Sequence, residues 1–365
     1  YGNKMTEREK IKYNIIKKTA PGTALRQGLD NVLKANTGGL IVIGDEEVLK
    51  EVSIGGFKID APYTPAHLYE LAKMDGAILL QPDNYRIMAA NVHLVPDSRV
   101  PSKETGIRHR SAEQIARQTN ALVISISQRR NVISLYKGDI KVVLAEPSQI
   151  LIIANQALQT LEKYCSVLDV ALKRLSVGEF DGAVLLMDVL QAIQRAELVA
   201  RIEQELRYYI IQLGVEGRLL KMQIDELTRD IEEEERHLIR DYMAKTDGDV
   251  QGQIDKILKK LRGLSSEELF NRDLLTKLLG LKDLSDTSKL EYLETRGYRL
   301  LNQIPRLPSY IIENVIAHFE DFSHLVNATA EDLDAVEGVG EKRSQQIYVG
   351  LKRLRSQTIE ELSYI

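Results

Sequence analysis

A single cysteine, Cys165, in 365 residues leaves nothing to pair within the chain, so the fold is not a disulfide framework and a reducing, cytoplasmic setting is expected. No apolar run approaches the ~20 residues that span a bilayer, and no signal-type apolar segment stands near the start, so no membrane association is expected. No Cys/His spacing fits a structural zinc. Neither GxxxxGK followed by Ser or Thr nor GxGxxG occurs, which removes the P-loop and dinucleotide-binding folds. Net charge is also scarce, at −4, so the chain as a whole does not attract nucleic acid and any such binding must come from a local patch. With 44% hydrophobic and 28% charged residues, the chain has the make-up of a globular protein, long enough for two or three cores.

Three regions follow one another. Residues 1–146 read as α/β. The apolar, β-branched runs at 38–44, 76–80, 86–94, 121–127, 132–136 and 140–145 predict strands. Helical patterns at 24–35, 64–74 and 111–119 lie between them, with Leu25 and Leu29, and Ala112, Ile115 and Ala116, at helical spacing. One mixed sheet flanked by helices is the expected outcome. Over 147–290 the strand signal stops and apolar residues recur every three or four positions, so an all-helical spacer is predicted. The acidic run Glu232 to Glu235 reads as a solvated helix face. In the tail, 291–365, Leu301, Ile304 and Val315 recur as Leu333, Val336 and Ile347, two helix–turn–helix units that need each other to cover their apolar faces.

Two short words in the first region carry chemistry. Asp75-Gly76-Ala77, in KMDGAILL, sets a carboxylate at the mouth of an apolar strand. Thr105 to Arg110, TGIRHR, is followed by Ser111-Ala112-Glu113-Gln114, which fits a capping box and predicts a helix starting at Ser111. Free amides, the positive dipole end and two guanidiniums would then converge on one spot, as a phosphate requires. A metal ligand or base beside a polyanion cradle is what nucleotidyl transfer needs.

Neither word stands alone. Aspartate before glycine is a common turn into a strand, and a basic loop can simply be exposed. The chain repeats the tripeptide at Asp181-Gly182-Ala183, where Asp181 reads as the N-cap of a following helix; only the first copy has a basic word downstream. His93 at a strand end and Arg129-Arg130 after another read equally as surface residues.

MDGA and TGIRHR, in this order, make the chain resemble the DNA integrity scanning family of bacterial diadenylate cyclases, over nearly its whole length. The resemblance implies that two ATP condense to cyclic di-AMP with release of two pyrophosphates, at paired sites that face each other. It implies a homo-oligomer, an octamer, located in the cytoplasm at the nucleoid. Residue by residue, it implies that Asp75 binds Mg2+ or Mn2+ and helps deprotonate a ribose 3′-hydroxyl. Gly76 and Leu94 would line the nucleotide pocket, and Ile107, Arg108, His109, Arg110 and Ser111 would hold the triphosphate. Ser111 replaces the family's usual Thr and keeps its hydroxyl. Ser127 is expected near the phosphates.

In the family's terms, 1–146 is the cyclase domain, 147–290 a helical linker and 291–365 a tandem helix-hairpin-helix domain that binds branched DNA without reading bases, as in damage sensing and repair. Gly338 and Gly340 form the GxG turn of the second hairpin, with Lys342 and Arg343 behind it. The first hairpin has Pro-Arg-Leu-Pro there and is expected to keep the shape but lose the amide contact. The acidic residues Glu331, Asp332, Asp334 and Glu337 leave a purely structural tail open. The competing reading of the whole chain is a non-catalytic DNA-binding protein whose first domain only oligomerises or senses nucleotide.

Overall fold

The computed structural model describes residues 6–245, 248–281, 292–319 and 321–362; the boundary expected at 290/291 lies outside them. The chain divides into two compact units, Tyr1–Asn155 with Arg207–Met222, and Gln156–Leu206 with Gln223–Ile365. In chain order the first contains α1 (Glu7–Lys18), α2 (Ala24–Lys34), β1 (Gly39–Ile43), α3 (Glu46–Glu51), β2 (Ser53–Ile54), β3 (Phe57–Ala61), α4 (Pro65–Leu71), β4 (Ala77–Leu80), β5 (Ile87–Leu94), α5 (Ile107–Thr119), β6 (Leu122–Ser127), β7 (Val132–Lys137) and β8 (Ile140–Leu144).

Its eight strands form one mixed sheet in the order β2-β5-β4-β1-β6-β7-β8, with β3 also on β5. Only β1 and β4 run parallel; β1 with β6, and β4 with β5, are antiparallel. Strand β1 is buried along its whole length because both faces of the sheet are covered, so it reads as an unbroken apolar run. Ile41, Ile43, Ile78 and Ile124 pack with Leu25, Leu29 and Val32 of α2 on one face. Val42, Leu79 and Val123 pack with Ala112, Ile115 and Ala116 of α5 on the other. The helical spacing read in the sequence thus marks the buried stripes. Thr23 and Thr64 cap α2 and α4 by accepting from Arg26 N and His67 N.

Two long helices, α6 (Pro147–Asp181) and α7 (Leu186–Leu213), are divided between the units, as is α8 (Arg218–Leu227), which follows a 3-10 turn at Gly214–Gly217. The second unit continues with α9 (Ile231–Tyr242), α10 (Val250–Gly263), α11 (Ser266–Leu269), α12 (Arg272–Leu278), α13 (Tyr298–Asn302), α14 (Ser309–Phe319), α15 (Phe322–Val326), α16 (Ala330–Asp334) and α17 (Glu341–Leu362).

Three expectations need correction here. The helical middle contains a two-residue strand, β9 (Val184–Leu185), paired antiparallel with β10 (Tyr292–Leu293); two residues are too few to leave a periodic signal. Asp181 does not cap the following helix but ends α6, where Gly182 takes φ +65°. Of the acidic run, Glu232 and Glu233 are exposed, but Glu235 is 1% exposed and bound by Arg262, and Glu234 reaches Arg299. Arg299 itself is 1% exposed and lies against the fully buried Glu179 of α6.

The repeat in the tail is present as two helix–turn–helix units offset by 32 positions. Ile304 N donates to Leu301 O as Val336 N does to Leu333 O, and Ile312 N to Pro308 O as Ser344 N to Gly340 O. Arg306 takes φ +60° where the second unit has Gly338 at +78°. The first turn therefore holds a backbone conformation that glycine adopts freely and arginine does not. The units also bond reciprocally: Asn314 Nδ2 donates to Glu337 O at 2.8 Å, and Gln346 Nε2, at the same offset, to Pro305 O at 2.6 Å. Among the described residues no helix is long and apolar enough to cross a membrane.

Candidate active site

One end of the sheet gathers the sequence words. Leu40 of β1 pairs with Ala77 of β4, so Gly38 and Asp75-Gly76 immediately precede neighbouring strands. Ala77 also pairs with Val92, and Gly39 with Ile126, which brings the ends of β5 and β6, with Leu94 and Ser127, to the same edge. The first turn of α5 lies over this edge. Arg108 Nη1 occupies the place where a side chain at Gly38 would begin, 2.0 Å from the position of a Cβ there. Gly76, at φ +103°, crosses so close to β5 that a Cβ would stand 2.8 Å from the carbonyl carbon of Asn91. Glycine at 76 is therefore set by space and by backbone conformation together.

Asp75 accepts from the amide of Gly76 at 3.1 Å and stands 3.9 Å from Arg108 Nη2, with its side chain fully exposed and that of Arg108 42% exposed. A pair so open contributes little to stability. Both groups remain available to a ligand.

Helix α5 begins at Ile107, with Gly106 as its N-cap, and not at Ser111. Arg110 N already donates to Gly106 O at 2.8 Å, so Arg108, His109 and Arg110 form the first turn instead of preceding it. The predicted capping box fails because its polar groups are used elsewhere. Gln114 Nε2 binds Val100 O at 2.8 Å, and Glu113 accepts from Ser102 Oγ at 2.6 Å and Lys103 N at 3.0 Å. These bonds strap the segment 100–106 along α5 and place Gly106 at the turn. Ser111 sits half-buried in the second turn, beyond the free amides of residues 107–109.

The remaining candidates differ in what they can offer. Ile107 is 85% exposed at the rim, and Arg110 is exposed, its Nε 3.4 Å from Glu104 O. Ser127 is half-buried and accepts from Arg130 N at 3.3 Å. Leu94 is 7% exposed and packs in the core, which leaves little of it to face a ligand. His109 is tied inward: its Nδ1 is 3.0 Å from Tyr136 Oη, whose hydroxyl donates to Glu104 Oε1 at 3.0 Å. Burial lowers the pKa of His109 from its ordinary value and so favours the uncharged ring, opposed by the Glu104 charge.

Sequence reasoning missed Glu104, Tyr136 and Lys141. Lys141 Nζ also binds Glu104 Oε1. Burial alone would raise Glu104, but Lys141 and the Tyr136 hydroxyl outweigh it and hold its carboxyl below the usual range; burial pushes the Tyr136 hydroxyl far up. The β7–β8 pairing sets Tyr136 opposite Lys141, and Glu104, distant in sequence, joins them only through its side-chain contacts in the fold.

As a metal site, this edge offers one carboxylate. Among the described residues no three His, Cys, Asp or Glu side chains gather to hold an ion. A fully exposed single carboxylate fits a hard cation that arrives on phosphates and keeps several waters, as Mg2+ does. It does not fit an ion enclosed by protein ligands. The Gly338–Gly340 turn, in the second unit, has its own order: Arg343 Nη1 donates to Gly338 O at 2.9 Å, its guanidinium 5.8 Å from the Tyr310 ring centre. Lys342 is exposed.

Residues 26–140 match the family model described as DisA bacterial checkpoint controller nucleotide-binding, and residues 144–288 the one described as DisA bacterial checkpoint controller linker region. Similar proteins include the DNA integrity scanning protein DisA of Clostridium botulinum strain 657 / Type Ba4, 50% identical over 351 residues, 96% of this chain and 98% of that one. That of Carboxydothermus hydrogenoformans is 51% identical over 345 residues, 94% and 96% of the two chains. Among solved structures, a double mutant of DacA from Staphylococcus aureus is 23% identical over 39% of this chain and 91% of that one, with a TM-score of 0.27, a likeness too slight to build on.

Proposed function

The chain belongs to the DisA family of DNA integrity scanning proteins, and from that premise we propose that it is a diadenylate cyclase which condenses two ATP into cyclic di-AMP and two pyrophosphates. The observation that carries this reading is the exposed Asp75 carboxylate 3.9 Å from Arg108, inside the segment that matches the nucleotide-binding family model.

In each half-reaction the 3′-oxygen of one ATP attacks the α-phosphorus of the other. Its proton passes to the Asp75 carboxylate, directly or through water, and the bond from the α-phosphorus to the bridging oxygen breaks to release pyrophosphate. Arg108, Arg110 and the amides opening α5 offset the charge that develops on the phosphate oxygens. Mg2+ or Mn2+, carried on the triphosphate and bound to Asp75, would add Lewis-acid neutralisation. Gly76, Leu94, Ile107, Ser111 and Ser127 line the nucleotide pocket in this reading. The second half-reaction is the first with the nucleotides exchanged, so the product's two-fold symmetry calls for two copies of the site facing each other. A site this open fits closure by a second chain. An octamer would supply four such pairs, in the cytoplasm at the nucleoid.

Incubating the protein with ATP and Mg2+ or Mn2+ and resolving the products by chromatography tests the reading. Cyclic di-AMP is expected; ATP binding with no turnover would favour the non-catalytic alternative.

For the tail we propose binding to branched DNA through phosphates at the Gly338–Gly340 turn of a helix-hairpin-helix unit. Arg343 is occupied with Gly338 O, which leaves the exposed Lys342 as the mobile charge. Lys342→Ala is expected to weaken binding to all sequences alike and to reduce the salt slope by about 1. Fluorescence anisotropy on junction DNA at several salt concentrations checks this; an unchanged slope and affinity would remove Lys342 from the contact.

A further inference from the structure

Behind α5 the side chains of Glu104, Tyr136 and His109 form one chain of hydrogen bonds. Tyr136 has one hydroxyl proton and directs it to Glu104 Oε1 at 3.0 Å. Its oxygen can therefore only accept from His109 Nδ1, 3.0 Å away, so Nδ1 carries a proton. Nε2 is buried without a hydrogen-bond partner, a place unsuited to a second N–H. Tyr136 is 1% exposed, and the His109 ring meets its ring edge-on at 6.3 Å. Glu104, 12% exposed, is anchored by Lys141.

Glu104 has a second connection. Its main-chain oxygen faces Arg110 Nε at 3.4 Å, while its carboxylate reaches His109 through Tyr136. One residue of the strap thus holds two of the four side chains, His109 and Arg110, in the opening turn of α5. The Glu113 bonds to Ser102 and Lys103 keep the strap in place.

We propose that Glu104 and Tyr136 are positioning residues for phosphate-charge neutralisation at this site, holding the His109 ring through its Nδ1–H so that Arg108 and Arg110 are fixed on the nucleotide. The inference rests on the cyclase reading for its kinetic consequence, though not for the tautomer. Misplacing a charge-neutralising group by about 1 Å slows chemistry roughly 100-fold. Tyr136→Phe and Glu104→Gln are thus expected to lower kcat about 10- to 100-fold, with KM for ATP within about threefold of wild type. Tyr136→Phe keeps the buried ring volume but takes the shared partner from His109 Nδ1 and Glu104, so a lower unfolding temperature is expected beside the kinetic effect, and rates are compared at a temperature where both variants stay folded.

Two measurements separate positioning from general damage. In a His109→Gln background the Tyr136→Phe penalty should disappear, because the two act through one bond. The histidine 15N spectrum of the whole protein should show His109 as the Nδ1–H tautomer, and Tyr136→Phe should mix the two tautomers. An Nε2–H tautomer in the wild type, full activity in both single variants, or a Tyr136→Phe penalty that persists without His109 would each overturn the proposal. A wild type that makes no cyclic product would instead overturn the cyclase reading and leave the tautomer to be decided by the spectrum.

Discussion

Asp75→Asn is expected to lower the rate of cyclic di-AMP formation roughly 100- to 10,000-fold, the range for loss of a proton acceptor or a metal contact in the transition state. Asparagine keeps the shape and one oxygen of a side chain that is fully exposed, so the fold has no reason to change. Arg108→Ala should reduce the rate roughly 100- to 1,000-fold, as removal of one pre-positioned charge partner does. Arg108→Lys should recover little of it, because an ammonium does not reproduce the planar fork that spans two phosphate oxygens. Initial rates of ATP conversion at saturating Mg2+ or Mn2+ measure both. Asp75→Asn activity equal to wild type would remove the site from the reaction. Loss in Asp75→Asn with an unaffected Arg108→Ala would move phosphate neutralisation to other groups.

The largest stability effect should come from the second unit. Arg299 is 1% exposed and bound to Glu179, to Ser176 Oγ at 2.6 Å and to Glu234 at 3.0 Å. Burial disfavours its charge, but Glu179 and Glu234 outweigh it and hold the guanidinium protonated. Arg299→Ala leaves Glu179 buried without its counter-charge and should destabilise this unit by about 3–5 kcal/mol. The pair replacement Arg299→Met with Glu179→Leu should recover much of the loss, since the cost lies in the orphaned charge. Urea unfolding checks both; a loss below about 1 kcal/mol for Arg299→Ala would contradict the assignment.

Beside this pair, Asp241 accepts from the amides of Tyr298 and Arg299 at 2.7 and 2.9 Å and so caps α13. Burial, with the neighbouring Glu179, pushes it from 3.8 up to about 7. Between those values the folded chain keeps a proton that the unfolded chain has lost, so stability from this group falls as pH rises through the window. Asp241→Asn should flatten that slope in urea titrations from pH 4 to 7; a slope that stays as steep would assign it to other groups.

What was readable in the sequence had its cause within a few residues. The strands and the buried stripe Ala112, Ile115 and Ala116 follow from local periodicity, and the two words at 75–77 and 105–110 are contiguous. The tandem repeat was visible because its apolar positions recur at one offset. Where local rules admitted two answers, tertiary contacts chose. Ser111 to Gln114 satisfies a capping box on paper, yet α5 starts at Ile107 because Glu113 and Gln114 are spent on the 100–106 strap. Asp75 and Asp181 share a tripeptide; one precedes a strand held between β1 and β5, and the other closes α6.

The inward hydrogen bond of His109 was beyond the sequence altogether, since it depends on Tyr136, which meets Glu104 and Lys141 only in the fold. The same holds for Glu234 and Glu235, which composition places in water and Arg299 and Arg262 draw inward. Residue types and their near neighbours thus determined which groups could carry charge and where helices and strands would form. Strand register and helix docking decided which of those charges meet, because Coulomb and hydrogen-bond energies depend on distances in space that separation along the chain does not encode.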